Sequence, residues 1–392
     1  MSIVSLDRVG DLNERLALRL FASGFDPKNL YLLDPTRDDY VLPWNCFQGQ
    51  GEIATRVGPF QGAVKRRADS WGVQIDETFN AAGTVAVEAG LSPLEMEPLL
   101  TNAAFRAHVL AKVEDSYALS FFKRFEALSK EHQQTWALAI LNKLSPYLSN
   151  KRLRRVLSGN SSFDLKRVID TPGAVLLVTL GADKLQGSAD VLGELLISGI
   201  WNAAVARADL PEDKRPYTRL FVDEFQNFGQ SIFEAIIAEG RRFRVNLTLC
   251  HQSQSQLTPS LRHIIRNNAA VRVLFAPGPV DAGELASELS PLPKKEAYAE
   301  LMELRTGECF VVRRGHGAVR TRTPNPPDPK VSQEGFAAFL AASNHANARL
   351  VSEVDAELAT RVAEIEAMAE GRGNATAIQH GRRPIIRRSA DA

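Results

Sequence analysis

Hydrophobic and polar positions follow two different periods along the chain, and the change of period divides it into regions. An apolar run at 2–6 is followed by helical spacing to about residue 22 and by a second apolar run at 29–33. This strand–helix–strand order is typical of a parallel α/β sheet. Between residues 58 and 157 apolar residues recur at helical spacing with almost no β-branched runs, which predicts an inserted all-α domain.

The strand pattern returns after residue 157. Residues 173–180 form a continuous apolar run between Pro172 and Gly181, which is typical of a strand buried on both faces. A long helix is predicted at 192–205. Four further apolar runs predict strands, most of them separated by helical segments: 218–222, 245–250, 271–275 and 308–312.

The C-terminal part begins with a proline-rich linker at 323–329, TPNPPDP. Residues 333–369 have helical spacing, with an interruption predicted near Ser343 and Asn344. The residues after 371 carry five arginines among Gly, Asn and Pro, which predicts a disordered basic tail. Such a tail could contact DNA or an acidic partner, but short basic ends are more often solvated.

These patterns together predict an α/β fold with a mainly parallel sheet, an inserted all-α domain and a helical C-terminal extension. Five segments follow from the changes of pattern. They are 1–57, the first part of the α/β core; 58–157, the inserted all-α domain; 158–322, the remainder of the core; 323–371, the linker and C-terminal helices; and 372–392, the basic tail.

Composition and charge narrow the classes of protein only slightly. The chain has 392 residues, 44% hydrophobic and 24% charged, and a net charge of +1, so there is no overall basic field to attract nucleic acid. Cys250 and Cys309 lie in apolar runs and are predicted to be buried thiols. Because the N-terminus lacks a signal-peptide pattern and no window resembles a membrane span, we expect a soluble cytoplasmic chain.

The sharpest candidate site follows the strand predicted at 218–222. Asp223 and Glu224 come directly after it, and the carboxyl ends of parallel strands face the crevice in which ligands bind. In nucleotide motors, one carboxylate holds the Mg²⁺ shell and a second orients and deprotonates the attacking water. On their own, the two acids could equally be solvated residues at the start of a loop.

Two features further along the chain favour a nucleotide site. The strand predicted at 245–250 leads to Gln252, an amide that could sense a phosphate or the attacking water, or could simply cap a loop. Arg241 and Arg242 precede that strand and could supply a guanidinium finger to the nucleotide of a neighbouring subunit. The alternative is a solvated helix end, where arginine is favourable.

Residues 221–257, FVDEFQNFGQSIFEAIIAEGRRFRVNLTLCHQSQSQL, closely resemble the Walker B, finger and sensor region of conjugative coupling and type IV secretion DNA-transfer ATPases. These TraG/TraD-like proteins are HerA–FtsK superfamily motors. The resemblance extends over roughly residues 1 to 360, through Asn267, Asn268 and Asp281. It implies a RecA-like core, and a motor that couples ATP hydrolysis to moving DNA through a hexameric ring. It also implies partners among the type IV secretion or relaxosome components, and a place at the inner face of the cell membrane for the intact form.

The resemblance also implies roles for single residues. Asp223 matches the residue of the Mg²⁺ shell, Glu224 the catalytic carboxylate and Gln252 the sensor. Arg242 matches the finger, with Arg241 as the second choice.

Near the N-terminus, Asp7 and Asp11 match the family's acidic turn after the strand that follows the P-loop helix, and the resemblance implies that they contribute to cofactor binding. The family usually has a histidine in that turn, whereas this chain has Val9 next to Gly10.

The sequence contains no Gly-x-x-x-x-Gly-Lys-Ser/Thr, the loop whose backbone N–H groups and lysine cradle phosphates. Family members carry it upstream of the Asp7 turn, which would place it before Met1. A loop at 180–187 contains Lys184 and glycines, but its spacing is wrong. We therefore expect an N-terminally truncated chain that binds ATP and Mg²⁺ poorly, if at all, and hydrolyses ATP negligibly by itself.

Three hypotheses remain open at this point. The first is a DNA-translocation ATPase represented by an incomplete chain. The second is a non-hydrolysing accessory subunit that docks with complete subunits and lends them Arg242. The third, and weakest, is an unrelated α/β binding protein.

Overall fold

The computed structural model describes residues 1–49 and 51–370. Its strands and helices are numbered here in chain order. The strands are β1 Ser2–Asp7, β2 Leu30–Leu33, β3 Tyr40–Val41, β4 Val175–Thr179, β5 Thr218–Val222, β6 Val245–Leu249, β7 Val271–Leu274, β8 Glu308–Arg313, β9 Gly317–Arg322 and β10 Arg349–Leu350.

The helices occupy most of the remaining length. They are α1 Asp11–Ala22, α2 Ile53–Lys65, α3 Val73–Glu88, α4 Met96–Thr101, α5 Ala103–Leu110, α6 Ser116–Ala127, α7 Lys130–Leu148, α8 Lys151–Ser158, α9 Leu165–Asp170, α10 Ala182–Leu185, α11 Gly187–Val205, α12 Gln230–Glu239, α13 Pro259–Asn268, α14 Pro279–Leu285, α15 Lys294–Met302, α16 Gln333–Asn347 and α17 Val351–Ala369.

A five-stranded parallel sheet in the order β2-β4-β1-β5-β6 confirms the predicted fold class. Its strands are short apolar runs, and β4 and β1 are buried on both faces, as is typical of parallel sheets. Val4 and Leu6 of β1, together with Leu220 and Val222 of β5, are almost completely buried on one face. The central sheet therefore forms from the strongest apolar signals in the sequence.

The opposite face of this sheet is covered over β2 and β4. Apolar residues of α1 and α16, including Ala17 and Phe339, pack there against Leu30, Val175 and Leu177. The polar hydroxyl of Ser343 in α16 donates to the Leu30 carbonyl at 2.7 Å and fixes the helix over β2.

One fully buried arginine holds the amino-terminal end of the sheet together. The Arg207 guanidinium bonds Asp170 at 2.7 Å, the Thr218 hydroxyl at 2.7 Å and the Phe243 carbonyl at 2.9 Å. A buried charge is tolerated only when its hydrogen-bonding capacity is used in this way. The network joins the helix before β4, the start of β5 and the turn before β6.

The apolar runs at 271–275 and 308–312 do form strands, but they lie outside the parallel sheet. They are β7 and β8 of a second, antiparallel sheet in the order β7-β8-β9. The strand β9 was not predicted, because its residues GAVRTR lack an apolar run. It pairs through a tight hairpin with Gly315 and Gly317 at positive φ. Leu274, Phe310 and Val312 contribute to a separate core cluster with α14 and α15.

The chain divides into two compact units. The parallel sheet and the antiparallel sheet belong to the first unit, which comprises Met1–Leu33, Leu165–Asp183 and Leu196–Ala346. The second comprises Asp34–Asp164, Lys184–Leu195 and Asn347–Ala392, and it contains α2 to α8. The domain boundaries derived from the sequence remain a prediction.

Within the second unit, α2 and α3 approach closely at a glycine. A Cβ built on Gly83 of α3 would lie 2.6 Å from a methyl carbon of Val57 in α2. Phe60 and Phe79, also from these two helices, are fully buried with ring centroids 5.7 Å apart. The absence of a side chain at Gly83 therefore sets the spacing of the two helices.

The C-terminal helix is anchored in the second unit by buried charges. The Arg361 guanidinium of α17 bonds the Glu95 carboxylate at 2.9 Å and Glu357 at 2.7 Å, and it also contacts the Ser158 carbonyl. Between α16 and α17 the chain forms β10, which pairs with β3. The helical pattern is thus interrupted at 348–350 rather than near Ser343, because the strand pairing requires extended backbone there.

One helix is long and apolar enough to cross a membrane by length and composition. It is the 23-residue segment Gly187–Asp209, and 67% of its most apolar window is buried inside the structure. The expectation that no window reaches this level was therefore wrong. A buried core helix passes the same test, so the finding is weak support for a membrane span.

Candidate functional site

Four sequence-predicted residues meet at the carboxyl-terminal edge of the parallel sheet. Asp7 ends β1, Asp223 and Glu224 follow β5, and Gln252 follows β6. Because β1, β5 and β6 are adjacent and parallel, with Leu6 opposite Val222 and Val222 opposite Leu249, their carboxyl ends lie side by side. This edge is where parallel α/β sheets bind ligands.

Two side-chain amides hold the Glu224 carboxylate. The Gln252 Nε2 group donates to Oε1 at 2.7 Å, and the Gln226 Nε2 group donates to Oε2 at 2.5 Å. Glu224 itself is in the left-handed region, with φ 50° and ψ 42°, which is uncommon for a residue other than glycine. Backbone conformations of this kind often occur at functional sites, where the surroundings impose them.

Asp223 lies in an electrostatically unfavourable position. Burial raises the pKa of its carboxyl group, and the neighbouring Glu224 and Asp7 carboxylates raise it further. A divalent cation would relieve this repulsion. Mg²⁺ is commonly held by one or two protein carboxylates, with water and substrate phosphates completing its shell.

Within residues 1–49 and 51–370 no group of three or more His, Cys, Asp and Glu side chains is placed to hold a metal ion. Asp223 is thus a single carboxylate that could hold Mg²⁺ only together with water and a phosphate.

The Asp7 carboxylate closes the turn at the start of α1. Its Oδ1 atom accepts from the N–H groups of Val9 at 3.0 Å and Gly10 at 2.8 Å, and Oδ2 accepts from that of Asn13 at 3.0 Å. Gly10, at φ 126°, adopts a conformation that a side chain would strain. Asp7 thus shapes this turn, whereas Asp11 is exposed at the first position of α1.

The loop after β6 is fixed by residues whose part in the site the sequence analysis did not assign. The buried Asp281 of α14 accepts from the Gln254 N–H at 2.9 Å, and the Gln254 amide contacts the His251 ring at 3.2 Å. His251 also packs edge-on against Phe225, with ring centroids 5.3 Å apart. Burial lowers the pKa of His251, although Asp281 and Glu224 act in the opposite direction.

Arg241 and Arg242 lie outside the sheet, at the opposite end of β6 from this site. They belong to the turn Gly240–Phe243 before β6, so the whole five-residue strand separates them from the loop that carries Gln252. At about 3.3 Å per residue this is roughly 16 Å. Both are exposed, and the Arg242 guanidinium stacks on Phe243 at 5.4 Å. A finger role for either arginine therefore requires a nucleotide held by another copy.

Only one of the two cysteines that were predicted to be buried is buried in the structure. Cys309 is buried as expected, but Cys250 is exposed. The apolar run before Cys250 continues only to Leu249, and Cys250 lies beyond the end of β6 on the exposed side of the edge strand.

One family model matches the central part of the chain. Residues 86–277 match the family described as Type IV secretory system Conjugative DNA transfer. The matched region contains the acid pair, Gln226, Gln252 and both arginines of the turn. No curated protein matches the chain.

Solved structures with a similar fold include conjugative coupling proteins and VirB4. The bacterial conjugative coupling protein TrwBdeltaN70 in its unbound monoclinic form has 16% sequence identity and a TM-score of 0.59, over 83% of this chain and 80% of that chain. The plasmid coupling protein TrwB in complex with ADP and Mg²⁺ has 16% identity and a TM-score of 0.59, over 84% and 79%. VirB4 of Thermoanaerobacter pseudethanolicus has 14% identity and a TM-score of 0.52, over 83% and 89%. At these identities the similarity shows the fold alone.

Proposed function

We propose that this chain forms the carboxylate-and-amide half of the nucleotide site in a DNA-translocating motor of conjugation or type IV secretion. The observation that carries the proposal is the Glu224 carboxylate, held 2.7 Å from the Gln252 amide and directly after Asp223 at the ligand-binding edge of the sheet. The family of residues 86–277 supports DNA transfer as the process that the site serves.

Each residue has a defined task in this proposal. Asp223 would hold the Mg²⁺ shell of a bound ATP, and Mg²⁺ would neutralise charge on the terminal phosphates. Glu224 would accept a proton from the attacking water, and Gln252 would sense the terminal phosphate through the carboxylate it now holds. ADP and Mg²⁺ are present in the TrwB complex, whose fold this chain shares.

The motor would act as a ring. Because Arg241 and Arg242 lie at the opposite end of β6 from the acid pair, they would serve the nucleotide of an adjacent copy, as arginine fingers do. A hexamer with DNA in its channel, working beside type IV secretion or relaxosome components at the inner face of the membrane, is the assembly we propose.

The exposed position of Arg242 favours one alternative. A non-hydrolysing accessory subunit would need the arginine turn to complete the site of a complete subunit, but it would not need the Glu224 carboxylate. The two proposals therefore differ in which side chain is indispensable.

DNA-transfer frequency in the source cell, with the gene replaced by single variants, tests the proposal. We expect Glu224→Gln to lower transfer by about 10²-fold or more, since it removes the proton acceptor while keeping size and hydrogen bonding. Glu239→Gln, at the exposed end of α12, is the matched control and should transfer normally. If Glu224→Gln transfers normally and Arg242→Ala abolishes transfer, the motor proposal is wrong and the accessory-subunit proposal is supported.

A further inference from the structure

The loop that carries Gln252 is anchored at its far end by α12. The side-chain amide of Gln230, the first residue of α12, donates to the Gln256 carbonyl at 2.9 Å and accepts from the Thr258 N–H at 2.7 Å. Gln252 itself is exposed. Fixing a long, exposed side chain costs conformational entropy, so the contact of Gln252 with Glu224 depends on a backbone that is already held in place.

The near end of the loop is anchored by Asp281 of α14. Asp281 is buried, and its carboxylate accepts from the Gln254 N–H at 2.9 Å. In the part of the chain that the structure describes, no lysine or arginine pairs with this carboxylate. Because burying a carboxylate costs free energy unless donors satisfy its oxygens, the fold retains Asp281 through the bond to Gln254, two residues beyond Gln252.

Asp281 belongs to the part of the first unit that is built around the antiparallel sheet. Ala282, which follows it in α14, is buried in the core cluster that also contains Leu274 of β7 and Phe310 of β8. The bond from Gln254 to Asp281 therefore joins the loop at the carboxyl end of β6 to the antiparallel sheet. A displacement of either one is resisted by the other, because closely packed cores do not deform continuously.

We propose that Asp281 is a positioning residue for Gln252. By holding the Gln254 N–H, it keeps the loop in the conformation in which the Gln252 amide donates to the Glu224 carboxylate. It acts through the loop rather than by contact with a nucleotide. The inference rests on the proposed function, because it takes Glu224 and Gln252 as the pair that serves the reaction. It goes beyond that function by extending the site to α14 and the antiparallel sheet.

The Gln254 N–H can be removed without changing the buried aspartate. Gln254 is the first residue of the short helical turn Gln254–Gln256, and Ser253 before it is extended, with φ −141° and ψ 142°. Proline suits this place, because it favours the first residue of a helical turn and an extended residue before it. Gln254→Pro therefore deletes the donor to Asp281, whereas Gln254→Ala, the matched control, keeps it and removes only the side chain. In the source cell we expect the DNA-transfer frequency of Gln254→Pro to be about tenfold or more below that of Gln254→Ala, since small misplacements of reacting groups are costly.

A spectroscopic measurement on the purified full chain follows the contact itself. With isotope-labelled glutamine, the Gln252 side-chain amide is the resonance that Gln252→Leu removes from the NMR spectrum. Gln254→Pro should shift this resonance toward its position in Glu224→Ala, where the acceptor is gone, and Gln254→Ala should shift it less. An unshifted resonance in Gln254→Pro would overturn the positioning role even if transfer fell, because the loss would then come from elsewhere in the structure.

Variants of the aspartate decide the question if Gln254→Pro does not fold. Asp281→Asn keeps an oxygen acceptor and Asp281→Leu has none, so the first should transfer about tenfold more than the second, and equal transfer would overturn the proposal. Asp183, an exposed aspartate in the first turn of α10, is the matched control, and Asp183→Leu should transfer as the original chain does. If Gln254→Pro and Asp281→Leu transfer normally while Glu224→Gln does not, the motor stands and only the positioning role is rejected. Normal transfer in Glu224→Gln as well would reject both.

Discussion

Asp223 carries a charge that the folded chain disfavours. Burial and the neighbouring Glu224 and Asp7 carboxylates raise the pKa of Asp223 above its ordinary value of 3.8. Between the ordinary and the raised pKa the folded chain binds the extra proton, so its stability falls as the pH rises through this window. Above the window the full penalty of the charge is present. The charge on Asp223 thus lowers the stability of the folded chain at neutral pH.

Asp223→Asn should therefore stabilise the chain at neutral pH. We expect its Tm to rise by roughly 1–3 °C at about pH 7, and the difference to vanish well below the ordinary carboxyl pKa, where both side chains are neutral. Thermal unfolding at a series of pH values measures this. Asp183→Asn, an exposed aspartate after β4, is the matched control and should show no change at any pH. A lower Tm for Asp223→Asn at neutral pH would contradict the electrostatic account.

At the residue scale, the sequence predicted which side chains gather at the site but not all of the contacts between them. Asp223, Glu224 and Gln252 were expected together, because consecutive parallel strands bring their carboxyl ends to one edge. Gln226 was not expected, although it is only two residues beyond Glu224. Its amide donates to the Glu224 carboxylate, and Glu224 has a left-handed backbone conformation. The sequence around Glu224 does not predict that conformation.

At the scale of elements, apolar runs predicted the strands of the central sheet to within a residue or two at most ends. The run at 218–222 is β5 without any shift. The strands β3, β9 and β10 were not predicted, because their backbone pairing rather than an apolar run of side chains forms them. The position of β7 and β8 in a separate sheet depends on the same long-range pairing.

Gly83 shows how helix packing could be tested. We expect Gly83→Ala to destabilise the chain by a net ~1–3 kcal/mol, because the added methyl group would overlap Val57 at 2.6 Å. Gly62→Ala in α2, whose Cβ would meet only the Arg66 guanidinium at 3.5 Å, should be neutral or stabilising by about 0.5–1 kcal/mol. Urea unfolding followed by tryptophan fluorescence measures both, since Trp71 packs against Phe79 of α3.

A second substitution provides the check on this packing. If the overlap is the cause, Val57→Ala should cost less stability in the Gly83→Ala chain than in the original one, because it removes the overlapping methyl groups. Equal costs in the two backgrounds would assign the loss to another source.

At the scale of the whole molecule, net charge and composition were almost uninformative, with a formal charge of +1 over 392 residues. The family of residues 86–277 was accessible from sequence because residues 221–257 combine an acid pair, an arginine turn and a strand ending near glutamine. What the sequence could not give was the position of the arginines. Because they lie at the opposite end of β6 from the acid pair, either arginine could act as a finger only on the nucleotide of another copy in an assembly.

If Glu224 and Gln252 act as one unit in driving DNA transfer, a double-mutant cycle will show the coupling between them. Transfer frequency would be determined for Glu224→Gln, Gln252→Leu and the double variant in the source cell. The two side chains share a hydrogen bond of 2.7 Å. If they act together, the transfer frequency of the double variant should be no lower than that of the more impaired single variant. Losses that multiply, or normal transfer in both single variants, would contradict the account.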